Sequence, residues 1–162
     1  MVELVFVKAK TLPEAWERSV VRLLEVGVEI PTEYGEGSVD APAVVVVEEP
    51  LAEPRVHLKG LTMGPKGLLE YVDELLEGVP PELERKYGYT YHSRLFVFKA
   101  DDKETPRVVD QIEYVVRKLK SAPYSRRAVA AIWKPEEDEF TDYPPCLMYM
   151  QFRVVGGRLR LM

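Results

Sequence analysis

Two hydrophobic periods alternate along this chain, and the alternation limits it to a fold in which strands and helices interleave. Glu3 to Ala9 is built around Leu4, Val5, Phe6 and Val7 and reads as a first strand. Thr11 and Glu14 have capping-box spacing with Pro13 in the first turn, so a helix is expected to begin there. Trp16, Val20, Leu23 and Leu24 continue it at helical spacing, and Gly27 is the expected left-handed stop. Pro31 to Pro42, with Gly35 and Gly37 and little apolar content, reads as a loop of a length that often carries function. Ala43 to Glu48 is a β-branched run and reads as a buried strand.

Pro50 to Gly67 is punctuated by proline and glycine and is expected to stay mostly irregular. Leu68, Leu69, Val72, Leu75 and Leu76 mark one face of a helix that stops near Gly78. Pro80-Pro81 then opens a connection rich in charge and tyrosine, through Tyr87, Tyr89 and Tyr91. Thr105 and Pro106 read as the N-cap and first residue of a further helix, with Val108, Ile112, Val115, Val116 and Leu119 on its buried stripe. Ala128 to Trp133, Leu147 to Val155 and Arg158 to Met162 read as strands, the last two joined at Gly156-Gly157 in a hairpin. The expected class is α/β, in a single domain over residues 1–162.

Composition removes several functions. A net charge of −5 argues against a general binder of nucleic-acid backbones, while leaving room for a local basic site for one small anion. The longest apolar run, Ala43 to Val47, is too short to cross a membrane, and Met1-Val2-Glu3 opens no signal peptide. A single cysteine, Cys146, forms no internal disulfide, and with two histidines it makes no metal cluster of the usual kinds. A cytoplasmic protein is expected.

Cys146 follows Pro144-Pro145 at the start of a strand, where proline fixes the backbone and helps to aim a nucleophile. A free thiol has a pKa of about 8.5 and needs a cation nearby to become reactive at neutral pH. Arg126 and Arg127 would supply that charge and bind an anion in bidentate fashion if the fold brought the two strand starts together. A buried, inert thiol and a solvated arginine pair are the plain alternatives.

Taken in order, Asp110-Gln111-Ile112, Ser125-Arg126-Arg127, Trp133-Lys134-Pro135, Pro144-Pro145-Cys146 and Gln151-Phe152 resemble the core of the thymidylate synthase family. The likeness is clearest from about Tyr89 onward, and the N-terminal half is nearer to the shorter archaeal-type members than to the bacterial ones. It implies a mixed sheet with helices packed on one face and the other face at a homodimer interface. It further implies reductive methylation of deoxyuridine monophosphate to thymidine monophosphate by a methylene-carrying reduced pterin, either methylene-tetrahydrofolate or a modified archaeal equivalent, without a metal. Cys146 would then be the nucleophile, Tyr91 would assist the steps after the covalent adduct forms, and Arg126 and Arg127 would reach into the partner's site to hold the nucleotide phosphate.

This chain also departs from the family pattern. His92 stands where the bacterial pattern has glycine, and Thr32 to Asp40, where the early phosphate loop should fall, has no arginine or lysine. Glu70 and Glu74 both qualify as the proton-relaying glutamate, and the sequence does not choose between them. The resemblance leads to the expectation that the chain is C-terminally incomplete and inactive alone, because the base-reading asparagine and the sugar clamp would lie beyond Met162. Two alternatives stay open: a pyrimidine-nucleotide hydroxymethylase of the same fold, and an inactive nucleotide-binding or dimerisation module.

Overall fold

In the computed structural model of the chain, residues 3–100 and 107–162 are described, and the contacts divide into two compact units, Met1–Leu68 and Leu69–Met162. In the first unit, β1 (Val5–Ala9) buries every second side chain. Thr11 caps α1 (Leu12–Val26), its hydroxyl accepting from the Glu14 amide at 3.4 Å, while the Glu14 carboxylate accepts from the Lys10 amide at 2.7 Å. Gly27 ends α1, but not as a left-handed cap: its φ is −67°, ordinary extended backbone. A Cβ there would lie 2.5 Å from both the Leu23 carbonyl oxygen and Val39 Cγ1. Close approach, not backbone handedness, requires glycine at this position.

The stretch expected to be a loop, Pro31 to Pro42, instead carries the turn and second strand of an antiparallel hairpin, β2 (Val28–Pro31) with β3 (Gly37–Asp40). The Thr32 hydroxyl donates to the Glu36 carbonyl at 2.6 Å across its turn, and Gly35 takes a φ of +80°. Seven of the eight residues in the two strands are exposed, so no alternation betrays them. β4 (Ala43–Val47) runs parallel to β1, with Val5 opposite Ala43 and Ala9 opposite Val47. Its expected burial fails: Val44, Val45 and Val46 are 47%, 45% and 38% exposed. α1 lies mainly over β1, so the core of this unit gathers on Val5, Val7, Ala9 and Ala15 and leaves β4 little cover.

A 3₁₀ turn at Leu58–Gly60 precedes α2 (Gly64–Glu77), which stops at Gly78 with φ +80°. In the second unit, the connection expected after Pro80, rich in charge and tyrosine, contains two helices, α3 (Pro81–Tyr87) and α4 (Tyr91–Phe96). They are seven and six residues long, too short to display a helical repeat. Thr90 caps α4 reciprocally with Ser93: the Ser93 amide donates to the Thr90 hydroxyl at 3.0 Å and the Thr90 amide to the Ser93 hydroxyl at 3.2 Å.

β5 (Phe98–Ala100) pairs antiparallel with β6 (Arg107–Val109), and α5 (Gln111–Ser121) follows. Thr105 and Pro106, expected to open this helix, lie outside the described residues. Val108 belongs to β6, and the cap of α5 is Asp110, whose carboxylate accepts from the Glu113 amide at 2.7 Å.

β7 (Val129–Ala131), α6 (Pro135–Asp138), β8 (Tyr149–Val155) and β9 (Arg158–Leu161) complete the chain. β7, β8 and β9 form one antiparallel sheet, and Gly156 and Gly157 turn the last hairpin with φ of +58° and +73°. Ala128, Ala130 and Ile132 have no exposed surface, and Leu95, Tyr91, Ile112 and Met150 pack around the latter two. The α/β class stands, but the expected mixed sheet is not found among the described residues: the ladders divide among four small sheets, one parallel and three antiparallel, because each short strand group pairs only with its own neighbours.

The two kinds of glycine are separable by substitution. Gly27→Ala and Gly27→Asn are each expected to cost about 1–3 kcal/mol through overpacking, while Gly156→Asn, which creates an Asn-Gly turn, is expected to stay within about 0.5 kcal/mol of the parent. Urea unfolding measures all three, and tolerance of asparagine at position 27 would restore the left-handed cap.

Candidate active site

The site is organised around β7. Gln111, at the start of α5, is 9% exposed and holds that strand by its amide: Nε2 donates to the Ala131 carbonyl at 2.6 Å, and Oε1 accepts from the Ala131 amide at 2.9 Å. The same Nε2 donates to the Arg94 carbonyl at 2.7 Å, which ties α4 to the strand. At the end of β7 the Ile132 and Trp133 amides both donate to the Met148 carbonyl, at 2.8 and 3.1 Å. Two successive donors on one acceptor bend the strand as a bulge does and close the base of the segment that carries Cys146.

Within that segment Pro145 is buried and Cys146 is exposed. Within this chain the thiol is therefore not buried. Tyr91, the first residue of α4, is half-buried, and its ring meets that of Tyr89 edge to face, with centroids 5.8 Å apart at 80°. Burial pushes the Tyr89 phenol up to about 12, with added contributions from Tyr91, Cys146 and Tyr71. Partial burial also raises the Tyr71 phenol, and Tyr91, Glu74 and Cys146 push it in the same direction. The thiol, three phenols and one carboxylate thus share one electrostatic neighbourhood.

An open groove of about 520 Å³ runs beside them, lined by Tyr71, Glu74, Lys86, Tyr89, Tyr91 and Tyr143 among others. Its aromatic walls offer stacking faces for a planar ring, with an ammonium and a carboxylate at hand. Glu74 is half-buried on the groove, whereas Glu70 is exposed. His92 is occupied in packing: its Nδ1 is 3.1 Å from the Leu75 carbonyl and its ring stacks on Phe96 at 5.1 Å.

Arg126 and Arg127 are not brought to Cys146 within the chain. They precede β7, where Gln151 Nε2 donates to the Arg126 carbonyl at 3.1 Å and the Tyr114 hydroxyl to the Arg127 carbonyl at 3.0 Å. The β7–β8 register pairs Val129 with Gln151 and Ala131 with Tyr149, which puts Cys146 at the other end of the strand pair. Ile132 lies five residue steps along the extended chain from Arg127, a distance of about 16 Å. Both arginine side chains are exposed and their backbones are pinned. Sequence reasoning missed Arg94, which is 5% exposed over the Tyr89 ring, and Asp138, which is 3% exposed and pairs with it at 2.6 Å.

Among the described residues no group of three or more His, Cys, Asp or Glu side chains is arranged to hold a metal ion, and no helix is long and apolar enough to cross a membrane.

An exposed thiol, clustered phenols and an aromatic groove thus lie together in the second unit of an α/β chain. The family model described as thymidylate synthase matches residues 19–162, and the chain belongs to that family. It is 31% identical over 156 residues to a Methanosarcina barkeri protein described as "Putative thymidylate synthase", covering 96% of this chain and 66% of that one. A Methanocaldococcus jannaschii protein of the same description is 27% identical over 160 residues, covering 94% of this chain and 67% of its own length. The thymidylate synthase of Saccharomyces cerevisiae is 32% identical over 91 residues, covering 54% of this chain and 30% of the yeast protein. The chain therefore spans about two thirds of the length of the archaeal relatives.

The raised phenol gives a pH prediction. Tyr89 holds its proton more tightly in the folded than in the unfolded chain, so its contribution to stability is complete below pH 10 and is lost as the pH rises towards about 12. Tyr89→Phe is expected to lose stability less steeply across that window and to lack one late-ionising phenol in an ultraviolet titration. Identical alkaline profiles for the two proteins would contradict the assignment.

Proposed function

We propose that this chain carries the nucleophile-bearing part of a thymidylate synthase, which methylates deoxyuridine monophosphate reductively through a covalent adduct on Cys146. The observation that carries the reading is the exposed Cys146 thiol within electrostatic reach of Tyr71 and Tyr89, in a chain of this family. The sulfur adds to carbon-6 of the pyrimidine, and the electron pair released onto carbon-5 makes that carbon a nucleophile. A methylene-carrying reduced pterin supplies both the one-carbon unit and the hydride that turns it into a methyl group. Loss of the carbon-5 proton and departure of the thiolate restore the ring and the enzyme. Splitting a substitution at an unactivated ring carbon into an addition and an elimination is what a covalent nucleophile achieves.

Tyr91 lines the groove beside Glu74 and is assigned to the proton movements after the adduct forms, with Glu74 the better placed of the two glutamates to assist. Arg126 and Arg127 are assigned to the 5′-phosphate in the partner subunit of a homodimer. That role is favoured by their position at the end of the strand pair away from Cys146. An acidic protein that binds an anionic nucleotide needs such a concentrated positive site. The 162 residues act here as one domain of a cytoplasmic enzyme.

A nucleotide analogue with fluorine at carbon-5, supplied with methylene-tetrahydrofolate, is expected to add covalently to the intact native protein at Cys146, and intact-mass spectrometry reads the adduct. No adduct on the native protein, or an equal one on Cys146→Ala, would overturn the proposal. The dimer has its own test. Co-expression of Cys146→Ala subunits with Arg126→Ala/Arg127→Ala subunits is expected to recover activity that neither variant shows alone. Losing the two arginines is expected to weaken nucleotide binding at least about tenfold. Failure of the mixed subunits to recover activity would place the arginines in the same subunit's site.

A further inference from the structure

Arg94 lies on α4, the helix that begins at Tyr91, and its guanidinium is held on three sides. The Tyr89 ring centroid is 5.7 Å away, Nη2 donates to Asp138 at 2.6 Å, and Glu137 lies 3.1 Å from the same nitrogen. Asp138 spends its second oxygen on the Lys134 amide at 2.6 Å, and so fixes the first turn of the segment that leads to Cys146. The far end of that segment is fastened where Met148 accepts from Ile132 and Trp133. Stability alone accounts poorly for such a contact, because a buried ion pair seldom outperforms apolar side chains of similar volume. Its placement is more telling: it joins the two stretches of chain that carry the thiol and the tyrosines.

We propose that Arg94 is a positioning residue, which fixes the Cys146 segment against the tyrosine-bearing helix by linking Asp138 to Tyr89 and α4. The inference rests on the reading of Cys146 as the nucleophile. A displacement of about 1 Å between reacting groups can cost on the order of 100-fold in rate. Loss of Arg94 should therefore slow the addition step far more than it weakens nucleotide binding.

The test compares the intact native protein with Arg94→Met and with Arg94→Met/Asp138→Leu, which strands no charge. Three quantities are measured: affinity for the fluorinated nucleotide, rate of adduct formation with methylene-tetrahydrofolate, and rate of Cys146 alkylation by iodoacetamide. Affinity is expected to stay within about threefold while adduct formation slows by about tenfold to 100-fold. The alkylation rate of Cys146 is expected to change as well. Arg94→Lys, which keeps the charge on a shorter reach, is expected to recover part of the adduct rate and serves if the double variant does not fold. A folded variant that forms adduct at the parent rate would overturn the proposal, as would affinity and rate falling in equal proportion. If the native protein forms no adduct, the nucleophile reading fails by itself. Alkylation then decides the positioning role: a changed rate in the folded variants upholds it, and an unchanged rate rejects it.

Discussion

The side-chain amide of Gln111 is the contact on which the rest of the second unit depends. It pairs with both backbone groups of Ala131 and also reaches the Arg94 carbonyl, so one residue makes a strand, a helix start and a second helix share a frame. A buried amide that satisfies its donors and its acceptor rigidifies what it touches, and it would be costly if left half-paired. Around it, Ala128, Ala130 and Ile132 are sealed from solvent, and Leu95, Tyr91 and Ile112 pack on the latter two. The tyrosine helix and the thiol segment both leave from this frame. The side chain that sets their positions is thus Gln111, through its hydrogen bonds to Ala131 and Arg94.

The same strand explains why the charged groups lie so far from the thiol. One end of β7 receives the Met148 carbonyl and leads to Cys146, while the other begins at Arg127, with Gln151 and Tyr114 pinning the arginine backbones. Strand geometry keeps these ends apart within the chain. The exposed valines of β4 show a related economy in the first unit, where one helix gives the sheet only partial cover.

Elements with a buried face or a marked end were legible in the sequence. Thr11 caps its helix, Gly78 ends α2, and the paired glycines at 156 and 157 turn the final hairpin because each enforces a local geometry. The ordered motifs carried the family, and Gln111 within them has a physical task that spacing alone does not disclose. The hairpin at 28–40 escaped because its side chains are exposed and show no period. α3 and α4 escaped because they are too brief for one. Arg94 and Asp138 are 44 residues apart in sequence, and nothing local marks an arginine and an aspartate that meet only in the folded core. Gly27 was legible as a stop but not in its reason, which lies in Val39 across the unit's own hairpin.

The Cys146 thiol and the phenols of Tyr89 and Tyr71 act on one another electrostatically, from segments that both leave the β7 frame. The most direct measurement is the ionisation of Tyr89 by ultraviolet or NMR titration in the native protein and in Cys146→Ser, whose hydroxyl carries no charge in this range. Since a thiolate at Cys146 helps to raise the phenol, removing it is expected to let Tyr89 ionise at lower pH than the native value of about 12. An unchanged Tyr89 titration in a folded Cys146→Ser protein would mean that the thiol does not lie beside the tyrosines, and the site as described would be wrong.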